Sequence, residues 1–424
     1  MTAKPAADNE RLGADRYIAP AAMPGNTTTA AHELPTYDGA TVSGLLRQVP
    51  GATTVAFLMH PRQDFSHHVL VPELLSQGYA VWTQGTRSVN NDLSLLHEQA
   101  LLDMAAGYAF LRTKGFESVI GIGHSGGAAL ATYYAEQTSL PPAARVSDTP
   151  SGRPVPLGEA DMPVPDGLML MAPHVGQGLL LLRMIDPSVN DERDPLSIDS
   201  SLDPYNSANG FCEPPESSAY SPDFVAAYRQ AQRARVQRID DEARLRVADS
   251  RTSKQQWESS GDPWDRRRSL ATTILTVYRT DADLRSVDLR MDPNERPYGS
   301  LFGRRPDLTN YGLIGFGRLT TPEAWLSTWS GLSSRADLVR CARGVRLPVL
   351  VVELTGDQAC FPTDAQAITA AFPGDNVTHV KVAGRHFGAP LVKGGTSGAT
   401  LAGRAMTQWL GRYFPTAGFV SVEG

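Results

Sequence analysis

The sequence has few cysteines, no excess of positive charge and no long apolar run. Its three cysteines, Cys212, Cys341 and Cys360, have neither the spacing of a zinc site nor that of a disulfide framework. Lys and Arg number 39 against 45 Asp and Glu, and the resulting net charge of −6 offers no basic surface for nucleic acid. No run of about 18 apolar residues is present, so no membrane-spanning segment is predicted.

The amino-terminal segment also lacks the apolar core of a signal peptide. Together with the sparse cysteines, this predicts a cytoplasmic protein. Residues 1–30 are polar and rich in Ala, Pro and Thr, and we expect them to form a flexible arm.

Beyond the arm, short apolar runs alternate with helical patterns. Continuous apolar strands that alternate with helices predict a mostly parallel sheet covered by helices on both faces. The runs of strand length are residues 53–59, 79–82, 118–122, 168–171, 348–352 and 377–382.

Two stretches interrupt this alternation. Residues 140–166 are rich in Pro and Gly and are predicted to form a surface loop. Residues 176–340 separate two core strands and are predicted to be an inserted cap, with a long, mostly solvated helix at residues 222–247. The catalytic core is then formed by residues 31–175 and 341–424.

One motif in the core carries the chemistry of a nucleophile. Gly123-His124-Ser125-Gly126-Gly127 follows an apolar run directly and opens a helical pattern. In that context, a serine between small residues sits on a sharp strand-to-helix turn that exposes its hydroxyl. The turn also places the Gly126 N–H where it can stabilise an oxyanion. A glycine-rich turn without chemistry is the alternative interpretation.

An activated serine needs a histidine as base and a carboxylate that orients the histidine. Asp357 follows the strand run at residues 348–352, and His386 lies just past the run at residues 377–382. The chain order serine, acid, histidine is the order expected when the serine lies on such a turn. His379 lies inside its strand run, where a packed or edge position is expected.

A second oxyanion donor is expected from the loop after residues 53–59. Pro61 has no N–H, so the backbone of Arg62 is the first candidate and that of Gln63 the second. The Arg62 side chain is a candidate for substrate binding, with free solvation as the alternative. His60 is expected to brace the loop by hydrogen bonding.

The segments that carry the serine, the acid and the histidine resemble the catalytic motifs of the α/β-hydrolase superfamily. The resemblance rests on residues 123–127, Gly356-Asp357 and residues 384–387, and it covers about residues 32–175 and 341–415. It implies the α/β-hydrolase fold: a mostly parallel, eight-stranded sheet flanked by helices, with a large, mainly helical cap. It also implies hydrolysis through an acyl-enzyme with no metal or other cofactor. The loop has His60-Pro61 where many members have His-Gly, which leaves the identity of the second donor open.

The expected activity is hydrolysis of a carboxylic ester of a small or medium, hydrophobic or aromatic substrate. Aromatic residues of the cap suggest this, and Gln63, Tyr311 and Trp325 join Arg62 as candidate substrate contacts; the alternative is that the cap aromatics form the cap's own core. Amide, thioester or C–C bond hydrolysis, acyl transfer and non-catalytic ligand binding remain alternatives. A small-molecule substrate is the expected partner, and the oligomeric state, a homodimer included, stays open.

Overall fold

The large sheet contains the apolar runs predicted from the sequence. The computed structural model describes residues 20–374 and 376–415. The strands of the large sheet are β1 (Thr28–Pro35), β2 (Thr41–Gln48), β3 (Thr54–Met59), β4 (Ala80–Gln84), β5 (Ser118–His124), β6 (Gly167–Met171), β9 (Val349–Leu354) and β10 (Val377–Val382).

The strand order in this sheet is β1-β2-β4-β3-β5-β6-β9-β10. The neighbours from β4 to β10 run parallel, whereas the pairs β1–β2 and β2–β4 are antiparallel. The carboxyl ends of the parallel strands therefore meet at one edge of the sheet. The loops that leave this edge carry His60, Ser125, His174, Asp357 and His386.

The helices cover both faces of the sheet, as the alternating pattern predicts. The α-helices are α1 (Leu70–Ser76), α2 (His97–Thr113), α3 (Gly126–Ser139), α4 (Gln177–Met184), α5 (Pro222–Ser260), α6 (Pro263–Leu270), α7 (Pro306–Thr309), α8 (Pro322–Ala324), α9 (Leu338–Ala342), α10 (Pro362–Ala371) and α11 (Gly398–Tyr413).

Alternate residues of the buried strands pack into two separate hydrophobic cores, one on each face of the sheet. Phe57 of β3 packs into the core that includes α2 and α3, whereas its neighbour Leu58 packs into the core that includes α1 and α11. Successive side chains of a strand point to opposite faces, so a strand buried on both faces is apolar throughout. This explains why residues 55–59 of β3 and residues 349–352 of β9 appear in the sequence as uninterrupted apolar runs.

The hairpin of β1 and β2 was not predicted individually, because only one of its faces is buried. Gly39, in the connecting turn, has φ of +84°, a conformation that favours glycine. The strand β1 begins at Thr28, inside the range 1–30 predicted to be an arm, and residues 1–19 lie outside the described residues.

A large, mainly helical insertion separates the neighbouring strands β6 and β9. Its longest element, α5, starts at the Ser221 cap and ends at Gly261, so it is longer than the predicted 222–247. The short antiparallel strands β7 (Leu275–Thr276) and β8 (Leu319–Thr320) and a π-helical turn, Trp325–Trp329, also belong to the insertion. The eight-stranded sheet and this insertion confirm the predicted fold class.

The predicted surface loop at residues 140–166 needs correction. Val155, Leu157 and Met162 are buried in the core that also contains α2 and α3, and Leu157 is 0% exposed. Apart from a short 3₁₀ helix at Pro142–Ala144 the segment is irregular, and these three apolar side chains are nevertheless buried. Among the described helices, none combines the length and apolar character needed to cross a membrane.

Candidate active site

The turn between β5 and α3 holds Ser125 in a strained conformation. Its φ is 56° and its ψ is −122°, a region that residues with a side chain seldom adopt. A Cβ added at Gly123 would lie 2.3 Å from the Ala128 Cα, and one at Gly127 would lie 2.7 Å from the Met59 carbonyl oxygen. The flanking glycines are therefore required for the tight turn that presents the serine at the start of α3.

Ser125, His386 and Asp357 form one chain of hydrogen bonds, as the sequence predicts. His386 Nε2 lies 2.8 Å from Ser125 Oγ, and His386 Nδ1 lies 2.9 Å from each carboxylate oxygen of Asp357. His386 and Asp357 are 1% and 0% exposed. The carboxylate accepts the Nδ1–H, so Nε2 is free to accept the serine proton.

The Asp357 carboxylate is fixed by its own loop. Its Oδ1 accepts the N–H groups of Ala359 at 2.7 Å and Cys360 at 2.9 Å. Its backbone carbonyl oxygen accepts a hydrogen bond of 2.8 Å from Asn294 Nδ2, which belongs to the insertion. These contacts hold the acid in the orientation that His386 requires.

Two further histidines support the His386 backbone. The Leu70 N–H donates to His68 Nδ1 at 3.3 Å, and His68 Nε2 lies 2.8 Å from His124 Nδ1. His124 Nε2 in turn lies 2.8 Å from the His386 carbonyl oxygen. A carbonyl only accepts, so each ring carries its proton on Nε2. Burial is the main cause that lowers the pKa of His68 well below its usual range and that of His124 to about 4.

The predicted oxyanion donors require one correction. The Gly126 N–H lies at the amino terminus of α3, where backbone amides lack intrahelical partners. The backbone N–H of Arg62 instead donates to His60 Nδ1 at 3.1 Å, and that of Gln63 donates to the same atom at 2.9 Å. The loop turns both amides onto the imidazole, so the expected brace by His60 is present and the Arg62 N–H is occupied.

The Arg62 side chain is also paired. Its guanidinium donates to both carboxylate oxygens of Asp92, at 2.8 and 2.6 Å. It lies 5.3 Å from the ring centroid of Phe316 and 5.2 Å from that of Trp329. Arg62 thereby connects the loop after β3 to two aromatic rings of the insertion.

A small cavity of about 20 Å³ adjoins Ser125. This volume accommodates about one water molecule. The lining residues are His60, Arg62, Gln63, Ser125, His174, Gln177, Leu180, Leu301, Phe316, Trp329, His386 and Phe387.

The structure does not bring Tyr311 and Trp325 into this cavity. The Trp325 Nε1 donates to Asp240 Oδ1 at 2.7 Å, which holds its indole against α5. Tyr311 is 45% exposed, and its hydroxyl accepts a hydrogen bond from Arg279 Nη1 at 3.1 Å. Both aromatic side chains are therefore committed to contacts within the insertion.

Sequence reasoning did not select His174 as a cavity residue, and it considered Phe316 and Trp329 only together with the other aromatic residues of the cap. His174 follows β6 by three residues, and that placement at the carboxyl edge of the sheet is a usable signal. Phe316 and Trp329 carry no comparable signal, because the insertion contains many aromatic residues. Among the described residues, no group of three or more His, Cys, Asp or Glu is arranged to hold a metal ion.

No protein-family model matches the sequence, and no curated protein matches it. Solved structures resemble it with low sequence identity. The esterase domain of a Rhodothermus marinus protein has a TM-score of 0.41 at 10% identity, and the match covers 91% of this chain and 99% of that one. Est1E from Butyrivibrio proteoclasticus has a TM-score of 0.43 at 11% identity, and the match covers 90% of this chain and 98% of that one. The α/β hydrolase GrgF from Penicillium sp. sh18 has a TM-score of 0.48 at 11% identity, and the match covers 91% of this chain and 99% of that one.

The arrangement within this chain identifies its fold independently. The serine lies on the strained turn between a parallel strand and a helix, and the acid and the histidine follow later strands in that order. The parallel sheet, the helices on both faces and the position of Ser125 are those of the α/β-hydrolase fold.

Proposed function

We propose that this protein is a serine hydrolase that cleaves a carboxylic ester through an acyl-enzyme. The observation that carries the proposal is the unbroken hydrogen-bond chain from Ser125 Oγ through His386 to Asp357, with contacts of 2.8 and 2.9 Å. A serine hydroxyl becomes a competent nucleophile when an oriented imidazole accepts its proton.

In the first half of the reaction, Ser125 Oγ attacks the ester carbonyl carbon and His386 Nε2 accepts the serine proton. The carbonyl oxygen becomes an oxyanion beside the Gly126 N–H, where the amino terminus of α3 favours negative charge. His386 then donates the proton to the departing alkoxide, and the acyl group remains on Ser125.

In the second half, water attacks the acyl carbon while His386 accepts a proton from that water. The collapse of the second tetrahedral intermediate releases a carboxylic acid, and the proton returns from His386 to Ser125 Oγ. Asp357 remains ionised throughout and stabilises the imidazolium.

The residues that line the cavity favour a substrate with a hydrophobic or aromatic acyl group. One part of its wall is apolar and comes from both the core and the insertion, through Leu180, Leu301, Phe316, Trp329 and Phe387. A volume of about 20 Å³ is too small for an acyl group, so side chains of the cavity wall must move before an ester binds.

The first experiment is covalent labelling with two fluorophosphonates, one small and one bulky, followed by mass spectrometry of the labelled peptide. We expect Ser125 to be labelled in the wild type, and labelling to disappear in Ser125→Ala and His386→Ala. Ser139→Ala is the matched control, since it removes an exposed serine at the other end of the same helix. A folded wild type that neither probe labels would contradict the proposal.

The substrate class follows from turnover of four chromogenic series: p-nitrophenyl esters, anilides, thioesters and diketones. Esters are expected to have the highest kcat/KM, with a preference for apolar acyl groups. A higher kcat/KM for an anilide, a thioester or a diketone would keep Ser125 as nucleophile and replace ester cleavage as the assigned reaction.

A further inference from the structure

Two histidines outside the hydrogen-bond chain of Ser125 line the same cavity. His60 directly follows β3 and His174 follows β6, so both lie at the edge of the sheet from which Ser125 projects. Their exposed fractions are 4% and 3%. Neither ring takes part in the proton transfers of the proposed reaction.

The tautomer of each ring is set by backbone amides. His60 Nδ1 accepts the N–H groups of Arg62 and Gln63, and His174 Nδ1 accepts the Gly176 N–H at 3.2 Å. A neutral imidazole carries one proton, so in both rings that proton resides on Nε2.

Both rings are held in the neutral form. Burial, followed by the nearby Arg62 guanidinium, lowers the pKa of His60 well below its usual range. Burial, followed by the neighbouring His386, lowers the pKa of His174 to about 3. At neutral pH each ring is therefore a fixed N–H donor without charge.

The two Nε2 atoms converge beside the residue that follows the nucleophile. A Cβ added to Gly126 would lie 3.0 Å from His60 Nε2 and 3.2 Å from His174 Nε2. No described residue accepts a hydrogen bond from either Nε2. Both imidazole Nε2–H groups thus lie beside Gly126, and both rings line the cavity that Ser125 also lines.

We infer that the oxyanion is held by the Gly126 N–H together with the Nε2–H groups of His60 and His174, which replace the usual second backbone donor. This inference rests on the proposed function, since it describes how the same tetrahedral intermediate is stabilised. No proton moves to or from either ring. Each ring donates a hydrogen bond that strengthens as negative charge develops on the substrate oxygen.

The local sequence explains why side chains take this role. Pro61 has no N–H, and the next two amides are already bonded to His60 Nδ1. Those amides polarise the imidazole and make its Nε2–H a better donor, because consecutive hydrogen bonds strengthen one another. The backbone of the loop therefore contributes to the oxyanion through the His60 ring.

The test compares His60→Ala, His174→Ala and His60→Gln with the wild type, using the best ester substrate. Loss of one oxyanion donor lowers kcat about 10²- to 10³-fold, so we expect that loss in each alanine variant, with KM changed less than about threefold. His60→Gln keeps an N–H donor at a similar reach and is expected to recover at least about tenfold of the lost kcat. His67→Ala, an exposed histidine of the same loop, is the control.

A boronic acid that forms a tetrahedral adduct with Ser125 separates this role from a structural one. Its affinity should fall by the same factor as kcat, while thermal unfolding of the variants stays within a few degrees of the wild type. Should His60→Ala fail to fold, His60→Gln and His174→Ala carry the same comparison.

The inference is overturned if the wild type hydrolyses esters through Ser125 and the folded variants keep kcat within threefold. It is also overturned if kcat falls while boronic acid affinity does not. In both cases the proposed function stands. Absence of labelling and of turnover in the wild type is a different result, which refutes the proposed function itself.

Discussion

Replacement of His124 by glutamine should make the protein less sensitive to acid. His124 lies in the buried chain from His68 to the His386 carbonyl oxygen, and its pKa is lowered from 6.5 to about 4, mainly by burial. Between these two values, the unfolded chain binds a proton at this position and the native protein does not. Stability therefore falls as the pH falls through 6.5, and this loss is complete below about 4.

The size of the effect follows from these two pKa values. One histidine with such a shift removes about 2 kcal/mol from the free energy of unfolding between pH 7 and pH 5. His124→Gln does not titrate and keeps an N–H that reaches the His386 carbonyl oxygen. The loss between the two pH values should thus be about 2 kcal/mol smaller in the variant than in the wild type.

The assay is urea denaturation at both pH values, followed by tryptophan fluorescence. Other titrating groups, such as Glu98, whose pKa burial raises to about 7, contribute to both proteins and cancel in the difference. His67→Gln, which removes an exposed histidine, should keep the pH dependence of the wild type. Equal losses in His124→Gln and the wild type would refute the assignment of a neutral, buried imidazole.

Three other substitutions test the site. Asp357→Asn removes the carboxylate that fixes the histidine tautomer, so kcat should fall about 10⁴-fold with the fold intact by circular dichroism; a loss below about tenfold would contradict the assigned acid. Gly123→Ala places a Cβ 2.3 Å from the Ala128 Cα, so fluorophosphonate labelling should be lost. Urea denaturation of the same variant should show a loss of about 1–3 kcal/mol in the free energy of unfolding. Trp329→Ala enlarges the cavity and should change KM across an acyl-length series, whereas Tyr311→Phe should not; the reverse pattern would restore Tyr311 as a substrate contact.

The core of the fold could be predicted because its strands are buried on both faces. Residues 55–59 of β3, 119–122 of β5 and 349–352 of β9 form uninterrupted apolar runs, and that pattern is visible without knowledge of their partners. The hairpin β1–β2 lies at the edge of the sheet and has one solvent-exposed face, so its hydrophobic pattern is weaker. The same reasoning fails for Leu157, which is buried by contacts with distant parts of the chain.

The site could be predicted where its residues are fixed by local geometry. Ser125 needs its flanking glycines, and His386 follows a strand end by a few residues. The loop after β3 differs, because the direction of the Arg62 and Gln63 amides depends on where the His60 ring lies. The choice between Trp325 and Trp329 as the cavity residue likewise depends on packing against α5. The Trp325 indole donates a hydrogen bond to Asp240 of α5 and so stays out of the cavity.

Neutral imidazoles suit an oxyanion site better than cationic side chains at this position. A permanent charge beside Ser125 would oppose the positive charge that His386 acquires when it accepts the serine proton, and so weaken the base. Neutral N–H donors avoid this cost, since their interaction grows mainly as the substrate oxygen becomes negative. Burial keeps His60 and His174 uncharged, and the guanidinium that lines the cavity, that of Arg62, is paired with Asp92. In the inferred oxyanion site, the neutral form of these two rings therefore adds no positive charge beside His386.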